Sequence, residues 1–513
     1  MERPVPVAGL ARDAIGLREV LFQSITHMAP AAAVAFSIAA GATFAGGALP
    51  LAVLLALVGC LLVAISIGQL AKHLPSAGSF YTYTSRGIHP AVGFLVAWGY
   101  AIVEPLVAPL LYLIFGHVVA TVLHAEFGWK YSQWWWVAAL AAAIVVFLLG
   151  YFGIQISART GTLLGLFEIG VFAALAIWLI AKAGGDNTFA VFGTKYATIK
   201  GFAGFSGIVA GSIFTILAFI GFEAAAPLAE ETTDPRRNIQ RAVIYSCIGI
   251  GLFYVLTTYA AAVFFGPGKF ADFVGFGGGN PWDALARKVW GAGWFIVFLA
   301  IANSAIANAN AAANATTRTW YAMGRIRLLP RFFAHIHPRH RSPDVAVVVQ
   351  LIVGVVLSLW LGAKYGPFPV AFILVATIDT AIIVAIYMLV DLACLMYYVR
   401  EQRHEFNPIL HGLFPLAGIA AFILAFMTAV GVGAPIMDAI GLKGLIKPLP
   451  SPFNLVGPVD GIAMGVGVLY MIYLYVTHPE RIRDTGRIFY EPEPVVAATV
   501  PPAVAPPAPA PPT

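Results

Sequence analysis

Stretches of about twenty or more mostly apolar residues recur along almost the whole chain, at approximately 20–45, 48–72, 90–121, 133–153, 158–182, 204–228, 239–266, 290–322, 345–363, 368–399, 410–433 and 458–477. A helix of about 20 residues matches the hydrocarbon thickness of a bilayer. Inside lipid every backbone N–H and C=O must find its partner within the protein, which leaves helices or a closed barrel. Barrel strands alternate apolar and polar residues with a period of two, and these runs do not. The pattern predicts an all-α integral membrane protein with twelve transmembrane helices. Composition agrees: 60% of the 513 residues are hydrophobic and 11% charged, whereas soluble domains carry about 25% charged residues.

The expected organisation is one membrane domain over 20–480, preceded by a short polar leader at 1–19 and followed by a tail at 481–513. The leader lacks the pattern of a cleaved signal, so the first run is expected to remain in the mature chain. The end of the tail, from 491, is rich in Pro and Ala and reads as polyproline-like or disordered. Cys60, Cys247 and Cys394 fall within apolar runs without metal-ligand spacing, and read as buried thiols.

Loops on alternate sides of these helices differ in basic residues. One side holds 19 of the 20 Arg together with Lys72; the other holds Arg287 and nine Lys. The positive-inside rule places the first side, and both termini, in the cytoplasm of a plasma-membrane protein. An even helix count requires the same. The net charge of +6 therefore reflects residues flanking lipid-spanning helices. It forms no stripe with stacking aromatics, so no nucleic-acid partner is expected. Trp129–Trp136, with four Trp and one Tyr in eight residues, fits an interfacial belt.

Transporters place their substrate where helices in corresponding positions of two repeats are interrupted. The first run contains Ser24-Ile25-Thr26-His27-Met28-Ala29-Pro30-Ala31-Ala32-Ala33, where Pro30 removes a backbone donor. The sixth run contains Gly211, then Phe219-Ile220-Gly221-Phe222-Glu223, then Pro227. A single such break reads equally as a kink. Two breaks five runs apart predict interruptions near 27–33 and 218–224 that face each other across a central cavity. Free amides at a half-helix N-terminus favour a carboxylate, and carbonyls at a C-terminus favour an ammonium group.

Ionisable residues inside membrane helices are functional candidates by default. Here they are His27, Glu104, His117, Glu168, Glu223, Asp379 and Asp391. Asp391 and His117 lie near helix ends, where capping or snorkelling explains them as well. Glu104, before Pro105, reads equally as cavity-lining or as paired within the bundle. Asn303, Asn308, Asn310 and Asn314 give the eighth run a polar stripe, with Asn303, Asn310 and Asn314 nearly on one face; amide bonds between helices account for them without invoking the substrate.

Three segments together carry a resemblance. Pro75-Ser76-Ala77-Gly78-Ser79-Phe80-Tyr81-Thr82-Tyr83 follows the second run. Phe219-Ile220-Gly221-Phe222-Glu223 leads into Glu230-Glu231-Thr232-Thr233-Asp234-Pro235-Arg236-Arg237-Asn238-Ile239. Arg318-Thr319-Trp320-Tyr321-Ala322-Met323-Gly324-Arg325 with Leu329-Pro330 follows the eighth run. Over roughly 17–480 the chain resembles the amino acid–polyamine–organocation superfamily, in particular its bacterial amino acid permeases. The resemblance implies a leucine-transporter-like fold: a five-plus-five inverted repeat (about 20–182 and 204–399) with two extra helices (410–477). It implies alternating access and a small-molecule substrate, an amino acid or related small amine. The runner-up readings are a polyamine or ethanolamine permease and a non-transporting nutrient sensor on the same fold. Family members bind a substrate carboxylate through a Gly-Ser-Gly-type turn, where this chain has Ala29-Pro30-Ala31-Ala32-Ala33. That departure removes one amide donor, at Pro30.

Taken onto this chain, the substrate-binding candidates are Thr26, His27, Ala29, Ala31, Ala32, Phe219, Ile220, Gly221, Glu223 and Asn303. Carbonyls around Phe219 and Ile220 would receive the amine, and the Phe219 ring would gate it. Glu223 reads chiefly as a tether for unwound backbone. Many proton-coupled relatives share a lysine on the fifth helix, and counting from the glycine at 153 places Glu168 there. A carboxyl held away from water could carry a proton through the cycle, or could serve as a fixed acceptor for backbone donors of the first helix. No alkali-ion site is evident, so proton coupling is expected, with Glu168 as the coupling residue.

No cofactor and no metal are expected, and no catalytic residue is evident. A channel would more naturally come as an oligomer of shorter chains with a filter ring. A membrane enzyme would need a nucleophile–base pair or metal cluster, and His335-Ile336-His337 has no supporting ligands in sequence.

Overall fold

In a computed structural model of the chain, residues 12–152 and 154–487 are described, those at 154–161 without their side chains. The first eleven residues, the tail from 488, and the side chains of the 153–159 connection used to count to Glu168 lie outside this description. Among the described residues the protein is all-helical, and the one β-bridge is an isolated pairing of Ile15 with Thr232.

Among the described residues, ten helical stretches are long and apolar enough to cross a bilayer: Leu17–Ala71, Pro90–Phe127, Tyr131–Tyr151, Thr162–Lys182, Pro235–Phe265, Pro281–Arg325, Asp344–Tyr365, Pro367–Arg400, Pro408–Ala429 and Phe453–Thr477. The difference from the twelve runs has two sources. Leu17–Ala71 merges the first two runs across a turn at Gly46–Ala48. The sixth run yields only the 15-residue helix Phe205–Phe219, too short to span by itself.

Peripheral helices hide one face in the bundle and leave an apolar face outward, the reverse of a soluble amphipathic helix. On Ile154–Lys182, the residues Glu168, Phe172, Leu175, Ala176 and Leu179 are fully buried, at helical spacing, while Leu163, Leu166, Ile177 and Trp178 are exposed. Exposed leucine, isoleucine and tryptophan repeated around the whole bundle make a surface suited to lipid rather than water.

Leu49–Ala71 packs along Pro235–Phe265, and Pro90–Phe127 along Trp294–Arg325. Ala39–Ala45 crosses Phe205–Phe219 at two glycines. A Cβ on Gly41 would come within 3.0 Å of the Gly211 carbonyl, and one on Gly211 within 2.8 Å of Ala45 Cβ. Close backbone approach through small residues is how helices associate where no hydrophobic force separates protein from solvent.

The two expected interruptions are present. The helix Leu17–His27 ends at Met28, and Ala29 takes a left-handed conformation (φ +49°), after which Pro30 opens the next helical segment. Proline suits a first helical position because the amide it lacks would be unpartnered there. Helical backbone then runs on to Ala45, with a π turn over Ala33–Ile38. This break is narrower than the 27–33 expectation. In the second, Phe205–Phe219 stops at Ile220, which is extended, and Gly221 has φ +114°. Turns then lead to the 3-10 segment Ala226–Glu231.

Candidate functional site

The two breaks pack on each other. A Cβ at Gly221 would lie 2.7 Å from the His27 ring, so any other residue there would be both strained and obstructed. Two further ties join them. The Ser24 hydroxyl accepts from the Ala225 N–H at 3.1 Å. The Tyr254 hydroxyl meets the carbonyl of Met28 and, at 2.9 Å, that of Ala218. A hydroxyl has one proton, so Tyr254 donates to one carbonyl at a time and sits between the C-terminal ends of both half-helices.

Backbone donors beyond the first break are all engaged. Pro30 has none. The Ala31 N–H donates to Glu168 Oε2 at 3.2 Å, the Ala32 N–H to Ser304 Oγ at 3.1 Å, and the Ala33 N–H to the Ala29 carbonyl at 2.8 Å. A carboxylate at a helix N-terminus complements both the exposed amides and the helix dipole. Glu168 occupies that position from a helix 137 residues away in sequence.

Beside the breaks lies a cavity of about 30 Å³, bounded by His27, Ala29, Ala32 and Ile220 from the breaks, Leu110 and Ile114 from Pro90–Phe127, Asn308 from Trp294–Arg325, and Asp379 from Phe372–Arg400. The Asp379 side chain is 98% hidden, at 2% relative exposure, and makes no hydrogen bond among the described residues. His27 Nε2 stands 3.4 Å from Glu104 Oε1, with both side chains buried. The lining carries no Lys or Arg.

Of the candidate residues, His27, Ala29, Ala32 and Ile220 line the cavity. Thr26, Ala31, Phe219, Gly221, Glu223 and Asn303 do not line it. Thr26 bonds back to the Phe22 carbonyl of its own turn at 2.7 Å. Glu223 accepts the Gly221 N–H at 3.0 Å, which is the tethering arrangement. Asn303 donates to the Leu164 carbonyl at 3.1 Å, between helices. Phe219 is fully buried, edge-on to Tyr254 at 5.3 Å between ring centres, and close to Gly251. In this conformation its ring packs in the core, where a gate over the cavity was expected. Ser304 and Tyr254 were missed; Asn308 belongs to the polar stripe of the eighth run and Asp379 to the ionisable candidates, but neither was given a place in the site.

The resemblance motifs meet at one end of the bundle, where the Ala77 N–H also donates to Glu230 Oε1 at 3.3 Å. Glu230 pairs with Arg325 at 2.6 and 2.9 Å, and Glu231 with Arg318 at 3.0 Å. Arg318 is fully buried and also donates to Asn314 Oδ1 and Thr317 Oγ1. It belongs to an interior ion pair, which corrects its reading as a flanking surface charge. The Glu231 carbonyl accepts from the amides of Ala14 and Ile15, and Thr233 N–H donates to the Ile15 carbonyl. The three described cysteines are buried and free. His335 bonds to Asp344 at 2.7 Å, and no cluster suited to a metal ion occurs among the described residues.

Comparison with known proteins agrees with this arrangement. The family model described as amino acid permease matches residues 19–486. A low-affinity putrescine importer of Escherichia coli is 27% identical over 407 residues, 77% of this chain and 83% of that one. A lysine-specific permease of the same organism is 25% identical over 423 residues, 77% and 81% of the two chains. A branched-chain amino acid permease of Bacillus subtilis is 24% identical over 325 residues, 60% and 66%. With its family match running through both breaks, the cavity and the paired Glu–Arg motifs, this chain belongs to the amino acid permease family of secondary transporters.

Proposed function

We propose that this protein moves amino acids or related small amines across the plasma membrane by alternating access, using the cavity at the paired breaks as its substrate site. The observation that carries this reading is the direct packing of the break at Met28–Ala29 on the break at Ile220–Gly221 beside that cavity. Interrupted helices expose backbone groups at the membrane midplane, where carriers bind solutes.

Counting Leu17–Ala45 and Leu49–Ala71 separately, and the broken 205–231 segment as one, gives twelve crossings. The pairing of the first, second and third crossings with the sixth, seventh and eighth supports a five-plus-five inverted repeat, about 20–182 and 204–399, with two additional helices at 410–477. The same count, with the arginine bias, puts both termini in the cytoplasm. The part-buried Glu230–Arg325 and fully buried Glu231–Arg318 pairs then close the cytoplasmic side in this conformation. His27, Ala29, Ala32 and Ile220 would touch substrate, while Thr26, Ala31, Gly221, Glu223 and Asn303 hold the breaks in shape.

Proton coupling through Glu168 belongs to this proposal. Its Oε2 holds the Ala31 amide, and a proton placed on that oxygen would remove the acceptor and release the resumed helix. The reading is tested by reconstituting the purified protein in liposomes and following labelled putrescine, lysine and leucine. Saturable uptake of at least one above protein-free vesicles is expected. Absence of uptake and of exchange for all three would overturn it in favour of a sensor.

A further inference from the structure

We infer that the cavity selects small amines that carry no carboxylate, mono- or diamines, over the corresponding amino acids, an inference that rests on the transport reading above.

A zwitterion needs donors for its carboxylate and acceptors for its ammonium group. The donors that a broken first helix would offer an anion are absent or in use. Pro30 has no N–H; those of Ala31, Ala32 and Ala33 are held by Glu168, Ser304 and the Ala29 carbonyl. For a substrate carboxylate to take the Ala31 amide, it would have to displace Glu168 and stand beside its negative charge. Like charges at hydrogen-bond range inside a low-dielectric bundle repel strongly. No lysine or arginine lines the cavity to compensate. Asn308 and Ser37 offer neutral donors only, an amide and a hydroxyl.

For a cation the balance reverses. Asp379 brings to the cavity a carboxylate that is nine-tenths buried and makes no hydrogen bond among the described residues. A buried, unpartnered acidic group is costly and is relieved by a cation with donors to give. An ammonium group is compact and carries three such donors. His27 also lines the cavity, and its Nε2 stands 3.4 Å from Glu104 Oε1, so a second carboxylate lies within one imidazole of the cavity.

The test uses pairs that differ by one carboxylate: putrescine and ornithine, cadaverine and lysine, ethanolamine and serine. Each is titrated against the purified full-length protein in detergent, and apparent affinity is read from the shift of its melting temperature. The amine of at least one pair is expected to bind about tenfold or more tightly than its amino acid, because a site rejects groups it leaves unpaired. In the Asp379→Asn protein that preference should fall towards unity. Amino acids that bind as tightly as their amines, or more tightly, overturn the inference and leave the transport reading intact. Six ligands without any shift overturn the inference, while the transport reading stands or falls on labelled uptake in liposomes. An Asp379→Asn protein that keeps the full preference overturns the place given to Asp379.

Discussion

The amide of Ala31 donates to Glu168 Oε2 at 3.2 Å, across 137 residues of sequence, at the point where the broken first helix resumes. Glutamine keeps an oxygen acceptor at this site but cannot titrate; alanine removes the acceptor. Glu168→Gln is therefore expected to fold and to exchange substrate across liposomes, yet to lose accumulation under a pH gradient. Glu168→Ala leaves a buried N–H unpaired and should lower stability by about 1–3 kcal/mol, read by thermal melting in detergent. A Gln variant that still concentrates substrate under a pH gradient would remove Glu168 as the coupling residue.

Arg318 and Glu231 form a fully buried pair at 3.0 Å. Breaking one partner strands a charge, so Arg318→Met should cost about 3–5 kcal/mol. Replacing both partners with apolar residues removes the stranded charge. The double variant Arg318→Met with Glu231→Met is expected to melt above the single variant. Equal melting temperatures would show that Glu231 is otherwise neutralised.

Phe219 packs edge-on against Tyr254 and lines no part of the cavity. Phe219→Ala is expected to lower stability by about 3–5 kcal/mol, as truncation of a buried aromatic does. Ligand-induced stabilisation of the fraction that folds should survive. Unchanged stability with lost binding would return the ring to the role of a gate.

Much of this was legible in the sequence because membrane helices announce themselves locally. Pro30 and Gly221 marked both breaks, since a missing N–H and a positive φ are properties of single residues. An ungapped count brought Glu168 to the first helix. What escaped was decided by distant partners. Ser304 reads as an ordinary small residue of the eighth run until it is found under the Ala32 amide. Arg318 lies at the end of an apolar run like any flanking arginine, and only its pairing with Glu231 shows it to be interior. The direction of the Phe219 ring depended on how the break turned, which periodicity does not contain. The same holds for Asp379, whose carboxylate could equally have faced a neighbouring helix.

The most direct measurement compares wild-type and Asp379→Asn protein in liposomes, following whichever of labelled putrescine, lysine or leucine the wild type takes up. A carrier whose substrate rests at the paired breaks should show saturable uptake in the wild type. The variant should lose it by about tenfold or more while keeping its melting temperature in the absence of ligand. A wild type that takes up none of the three, or a variant that transports as well as the wild type, would contradict the assignment of transport to this cavity.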